Sequence, residues 1–303
     1  MPEIIYALDE PVAGPGAFPQ YVVSRMASER VKVALGGQGG DEIFGGYARY
    51  LIAYLEQALK GGIYETQEEG KHIVTLESII PHLPLLKQYH PLMQHFWKDG
   101  LFEPMDRRYF RLIDRSPNIN MLLTPEAREA FNREEVFADF QRVFNHPDTK
   151  SYLNKMTHFD QKTLLPALLQ VEDRVSMASS LESRVPFLDT RIVDLVTTMP
   201  PPMKFHGGCT KHILKRAVRN LLPESVANRK DKMGFPVPLH EWLDKGPVRD
   251  FAHDVLFSKA AQERGLFEKR ALERLLQKER RFGRELWGAL CLELWHQRFI
   301  DGC

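Results

Sequence analysis

Residues 31–47 read Val31-Lys-Val-Ala-Leu35-Gly36-Gly37-Gln38-Gly39-Gly40-Asp41-Glu42-Ile43-Phe44-Gly45-Gly46-Tyr47. The run Val31 to Leu35 is apolar apart from one lysine. Its length and its valines predict a strand. Four glycines in the next five residues let the backbone turn sharply and approach a ligand closely. Asp41 and Glu42 then stand at a helix start, where acids suit the helix dipole and free N–H groups. Strand, glycine loop, acid and helix are the parts of a phosphate or metal–phosphate cradle. They are equally the parts of a tight turn between a buried strand and a helix, and spacing alone does not separate the two.

Two familiar glycine motifs do not fit. A dinucleotide fingerprint counted from Gly37 meets Glu42 where its third glycine belongs. A Walker loop counted from Gly40 reaches Gly45 but then meets Gly46 and Tyr47 instead of Lys and Ser/Thr.

The chain has 303 residues, enough for one large domain or two small ones. Apolar residues make up 43% and charged residues 27%, as in ordinary globular proteins. A formal net charge of +1 gives no global pull toward nucleic acid or an acidic membrane. The basic run Lys278 to Arg284 is too short and unpatterned to change that. No run approaches a membrane span, and the acidic N-terminus does not resemble a signal peptide. Cys209, Cys291 and Cys303 form neither a disulfide framework nor a metal pair, which points to the cytoplasm. His72, His82, His90 and His95 lack zinc-helix spacing.

Taken in order, Glu3 to Leu8 predicts a short strand, Val12 to Pro19 a loop and Tyr21 to Arg30 a helix. Asp9 and Glu10 read as solvated turn acids. Tyr50 to Leu59 predicts a helix stopped by Gly61-Gly62. Thr124 is an N-cap with Pro125 in the first turn. Ser151 to Ser180 is helical with a boundary near Pro166. Asp173 and Arg174 follow an apolar face and can form a solvated pair. Glu182 and Arg184 flank Ser183 ahead of an apolar block, where charges are costly unless paired or used. Asp189 caps a helix from Arg191 to Met199. Pro200 to Pro202 is a rigid connector. Gly207, Gly208 and Thr210 set up a further helix that carries Lys211 and Lys215 on one face. Met233 to Leu239 is an apolar loop.

GGQGGDEIFGGY resembles the SGEGxDEfFGGY-type segment of the glutamine-hydrolysing asparagine synthetases. VEDRVSMASSLESRVPFLD, from Val171 to Asp189, is similar to that family's DR.SMA.SLE.RVPFLD block. TKHILKRAVRNLL from Thr210 and NRKDKMGFPVPL from Asn228 resemble its KxxLKxA and KxGFxxPL blocks. LWGALCLELWHQRF from Leu286 is similar to its last helix. The order of these blocks agrees.

The resemblance implies an α/β parent fold of the PP-loop ATP pyrophosphatase type, adenine nucleotide alpha hydrolase-like. This portion is expected to be mostly α-helical with two or three strands. Residues 1–50 would hold the C-terminal part of the sheet region and residues 51–303 the helical remainder. It implies ATP-dependent amidation of aspartate through an acyl-adenylate, with ammonia drawn from glutamine and with ATP and Mg²⁺ required. It also allows a homodimer. By the same resemblance Gly36, Gly37, Gly39, Gly40 and Asp41 hold ATP and pyrophosphate, with Asp41 toward the metal. Lys211, Gln38 and Glu182 take catalytic positions, and Glu42, Asp173 and Arg174 lie on the substrate side.

The chain departs from the family in four ways. Gln38 stands where an acid is common and cannot take a proton. Gly36 replaces a serine and removes a hydroxyl. Pro2 stands where the glutaminase domain would have its nucleophilic cysteine, and the SGGxDS loop is missing. The expectation is therefore a C-terminal region that is inactive alone. A related amide ligase, of β-lactam synthetase or peptide cyclase type, and a non-catalytic helical binding fragment remain as alternatives.

Overall fold

The computed structural model describes residues 1–11, 14–64, 76–80, 83–206, 209–227, 237–277 and 284–302. His72, His82, Gly207, Gly208, the loop from Met233 to Pro236 and all of the basic run but Arg284 lie outside them. The described residues are mostly helical, with four short strands. No helix among them is long and apolar enough to cross a membrane.

Helix α1 (Pro2–Leu8) replaces the strand expected there. A short apolar run does not distinguish the two by pattern. Pro2 suits a first turn, and Ile4, Ile5 and Leu8 lie on adjoining sides of the helix and are buried. Helix α2 (Ala17–Ser28) starts earlier than expected, because Pro19 is tolerated in a first turn. Strand β1 (Val33–Leu35) leads into the glycine loop and the short helix α3 (Gly40–Phe44).

Helix α4 (Ala48–Tyr64) is buried all round from Tyr50 to Gln57, as befits a central element. It does not stop at Gly61-Gly62. A glycine costs a helix only about 1 kcal/mol, and Tyr64 packs edge-on against Phe102 beyond it. Around α4 lie α5 (Met105–Ile113), α6 (Arg133–Phe144) and α7 (Tyr152–Phe159). They close an aromatic core that includes Phe96, Tyr109, Phe140, Phe144 and Tyr152. Inside it Arg108 and Glu56, each 1% exposed, make a forked pair with both hydrogen bonds at 2.6 Å.

The boundary expected near Pro166 is a change of helix type, without a break in the chain's helical course. A π-helical turn, Asp160–Leu164, joins α7 to α8 (Leu165–Met177) and places the proline in the first turn of α8, where its missing N–H is harmless. Asp160 in that turn accepts from Arg49 at 2.5 Å, from Tyr109 at 3.0 Å and from Tyr50.

Strand β2 (Glu182–Arg184) pairs with β1 in parallel, Val33 opposite Glu182 and Leu35 opposite Arg184. One face of this pair is bare among the described residues: Val33, Leu35, Glu182 and Arg184 are all exposed. The other face looks toward α8. Beyond β2 comes α9 (Thr190–Thr198), capped by Asp189, whose Oδ1 accepts from the Arg191 N–H at 3.0 Å. Thr124 caps its helix in the same way, accepting from Ala127 N–H at 3.2 Å. The proline run is no plain connector, since a one-turn helix starts at Pro201. Strands β3 (Phe205–His206) and β4 (Cys209–Thr210) form an antiparallel pair leading to α10 (His212–Ala217). Helices α11 (Pro247–Leu256), α12 (Lys269–Gln277) and α13 (Glu285–Phe299) pack into a second core with Ile5 of α1.

Candidate active site

The carboxyl ends of β1 and β2 point the same way, and parallel strands of this kind bind ligands at that edge. The ladder continues one step past β1, where Gly36 N–H donates to the Arg184 carbonyl at 2.7 Å. Gly37 follows with nothing within 4 Å of where a Cβ would stand, so its backbone is open to a ligand. Gln38 is half-buried, and Gly39 and Gly40 are buried.

The block after β2 closes over these glycines. Gly39 has φ 87°, and a Cβ there would fall 2.2 Å from Leu188 Cδ2. A Cβ on Gly40 would lie 3.4 Å from the Phe187 ring. Phe187 packs edge-on against Phe44 of α3 with centroids 6.2 Å apart. The glycines and the apolar VPFLD stretch therefore depend on each other: either is poorly placed without its partner.

Lys211 approaches from the other side. It stands at the N-cap of α10 with φ 55° and ψ 33°, a left-handed conformation that a lysine adopts at a cost of about 1–3 kcal/mol. Its ammonium lies 3.1 Å from Asp41 Oδ1. It reaches there by passing two bare α-carbons. A Cβ on Gly40 would stand 3.6 Å from Nζ, and one on Gly46 only 2.2 Å from Cε and 1.9 Å from Asp41 Oδ1. Both partners keep about a quarter of their side-chain surface open, so an anion can reach the ammonium.

Glu42 faces inward. It is 1% exposed and accepts from the Tyr47 hydroxyl. Burial first, and then Glu42, hold the Tyr47 phenol far above its usual pKa, so it stays a donor. Arg49 lies 3.8 Å above the Tyr47 ring and links it to Asp160. The pKa of Tyr89 is also raised, by burial and then by the charge of Asp41. Burial, followed by the charges of Arg284 and Arg49, lowers Arg115 to about 10, still a cation at neutral pH. Lys204, 2% exposed beneath Gly45, is lowered to about 8 by burial.

Of the remaining candidates, Glu182 and Arg174 pair with other groups than Asp41 and Lys211. Glu182 is exposed on the bare sheet face and accepts from Arg184 at 2.8 Å, so the charges of that block pair with each other. Asp173 is exposed. Arg174 pairs with Asp9 at 2.9 Å instead of with Asp173. Asp9 is accordingly no simple solvated acid: it ends α1 at φ 61°, and its carbonyl accepts from Trp295 at 2.8 Å.

The sequence matches the asparagine synthase family profile over residues 1–297. The chain belongs to the asparagine synthase family. It is similar to asparagine synthetase (glutamine-hydrolyzing) 1 of Bacillus subtilis strain 168, 29% identical over 310 residues that take in 99% of this chain and 46% of the relative. It is also similar to asparagine synthetase (glutamine-hydrolyzing) 3 of the same strain, 28% identical over 249 residues, 82% of this chain and 33% of the relative. The chain thus spans less than half the length of these curated relatives.

Within this asparagine synthase family chain, sequence reading passed over two groups beside the loop. Tyr47 closes the glycine-rich stretch, but its contact with Glu42 needs the turn at Gly45 and Gly46. Glu172 stands one residue before the Asp-Arg pair that drew attention. Its Oε1 accepts from Ser183 Oγ at 2.5 Å and lies 2.2 Å from where a Cβ on Gly36 would be.

Proposed function

We propose that this chain carries the amide-forming site of a glutamine-dependent asparagine synthetase. ATP would activate the side-chain carboxylate of aspartate: a carboxylate oxygen attacks the α-phosphorus and pyrophosphate leaves. Ammonia then attacks the acyl carbon, and the bond to AMP breaks. The observation that carries this reading is the Lys211 ammonium held beside Asp41 at the glycine loop, in a backbone conformation that lysine disfavours. A cation fixed there in advance stabilises negative charge without reorganising.

In this reading the open backbone of Gly37 receives phosphate oxygens, while the Gly36 N–H is held by the Arg184 carbonyl. Lys211 faces the charge that develops on them. Tyr47 and Arg49 hold α3 and the start of α4 in register through Glu42 and Asp160. Among the described residues no three His, Cys, Asp or Glu side chains gather to hold a metal. That donor set still fits Mg²⁺, which takes one or two carboxylates and completes its shell with water and phosphate. Asp41 is the carboxylate that would hold it, and when bound the ion screens phosphate charge. Gln38 accepts and donates hydrogen bonds but removes no proton. The related amide ligases remain open, since nothing at position 38 selects an amine.

That one face of β1 and β2 is bare among the described residues supports the further reading that the chain is incomplete as a catalyst, since parallel sheets are covered on both faces. The proposal extends to cytoplasmic location. The test is titration of the chain with MgATP and with magnesium pyrophosphate, followed by ³¹P NMR. Specific line broadening by magnesium pyrophosphate that Asp41→Asn and Lys211→Met abolish is expected, together with broadening by MgATP that Lys211→Met only weakens. Identical spectra with and without protein would refute the assignment.

A further inference from the structure

The loop at residues 36–40 carries no ionisable side chain of its own, because position 36 is Gly and position 38 is Gln. A carboxylate nevertheless occupies the space of one. Glu172, half-buried on α8, reaches up to the end of β1. A Cβ on Gly36 would stand 2.2 Å from its Oε1, 3.2 Å from its Cδ and 3.4 Å from Ser183 Oγ. The carboxylate therefore sits where a side chain at position 36 would project. Ser183, from the neighbouring strand, fixes it with a 2.5 Å hydrogen bond to Oε1. Among the described residues Oε2 has no hydrogen-bond partner, and no lysine, arginine or histidine pairs with the group.

A fixed carboxylate with one oxygen to spare is an acceptor, and it repels phosphate. Beside a loop whose backbone faces phosphates, it needs a neutral donor one chemical unit away. In a nucleotide that unit is the sugar, and in dinucleotide-binding folds an acid near the glycine loop likewise accepts from ribose hydroxyls. We propose that Glu172, in place of a side chain on residue 36, accepts from the 2′,3′-diol of the ribose and makes this site selective for ribonucleotides. The inference rests on the nucleotide-binding reading above.

The experiment is equilibrium binding of MgATP, of Mg-2′-deoxyATP and of Mg-3′-deoxyATP to the full chain, wild type and Glu172→Gln, followed by NMR. Glu172→Gln keeps an acceptor for Ser183 and most of the shape, and thermal melting confirms that it folds. A hydrogen bond to a charged acceptor is strong enough to give about tenfold discrimination. Wild type is expected to prefer ATP over at least one deoxy form by that factor. Glu172→Gln should lose most of its ATP affinity advantage while binding that deoxy form unchanged. Equal affinity of wild type for all three nucleotides, or a Glu172→Gln variant with unaltered preference, overturns the inference and leaves the function standing. A loss confined to Mg²⁺ affinity also overturns it. Absence of any ATP binding at millimolar concentration overturns the functional reading instead.

Discussion

The ammonium of Lys211 lies 3.1 Å from Oδ1 of Asp41 and gets there only because Gly46 carries no side chain. The two partners come from distant stretches, the glycine loop and the start of α10. The second glycine pair of the loop is therefore a slot for a lysine as well as a helix stop. Gly46→Ala would put a methyl 2.2 Å from Lys211 Cε and 1.9 Å from Asp41 Oδ1. Overpacking of this kind costs about 1–3 kcal/mol. The variant is expected to unfold at lower urea and to lose pyrophosphate binding, whereas unchanged binding would show that the slot is incidental.

Lys211→Met separates function from stability. An ion pair this open contributes about 0–1 kcal/mol, and methionine keeps the unfavourable backbone as it was. Urea midpoints of the variant and the wild type should nearly coincide. In a complete enzyme built on this chain, kcat for amide formation should fall further than ATP affinity, because the contact acts on developing charge. A large drop in the urea midpoint would make Lys211 a structural residue.

The forked Arg108–Glu56 pair behaves in the opposite way. Both side chains are 1% exposed, and Arg108 also donates to the carbonyls of Asp99 and Phe96 at 2.8 Å. Glu56→Ala leaves a buried cation without its counter-ion, at a cost of about 3–5 kcal/mol. Chemical denaturation should show that loss with no selective effect on nucleotide binding.

Lys204 sets a pH dependence. Burial lowers it to about 8 from an ordinary 10.5, so between those values the unfolded chain binds more protons than the folded one. Stability from this group rises with pH across that window and is lowest, and flat, below pH 8. Lys204→Met removes the penalty. It should stabilise the protein at pH 7 by on the order of 3 kcal/mol and flatten the difference above pH 8. Denaturation curves at pH 7 and pH 10 decide it: a variant less stable than wild type at pH 7 would mean that the ammonium is held favourably.

Much of this architecture is written locally. The caps at Thr124 and Asp189 follow from side chains bonding their own next turn, and the glycine loop follows from residues in one stretch. Pairings across the chain are not legible in that way. Glu182 to Arg184 looks too charged for a strand until β1 is found beside it. The partner of Arg174 is Asp9, not the adjacent Asp173. The short run at α1 carries no period long enough to separate helix from strand, and only its packing against α8 and α13 decides. Glu172 is hidden most deeply, because its meaning depends on the side chain that Gly36 lacks.

The central claim is that the Gly36–Asp41 loop and Lys211 form one phosphate-binding site. The measurement that tests it most directly is the affinity of the chain for magnesium pyrophosphate, wild type beside Lys211→Met, by calorimetry. The account predicts binding weaker than about 1 μM in the wild type, since contacts at a helix terminus contribute only about 0.3–1 kcal/mol each, and none detectable in the variant. Equal affinity of the two proteins, or sub-micromolar binding by both, would contradict it.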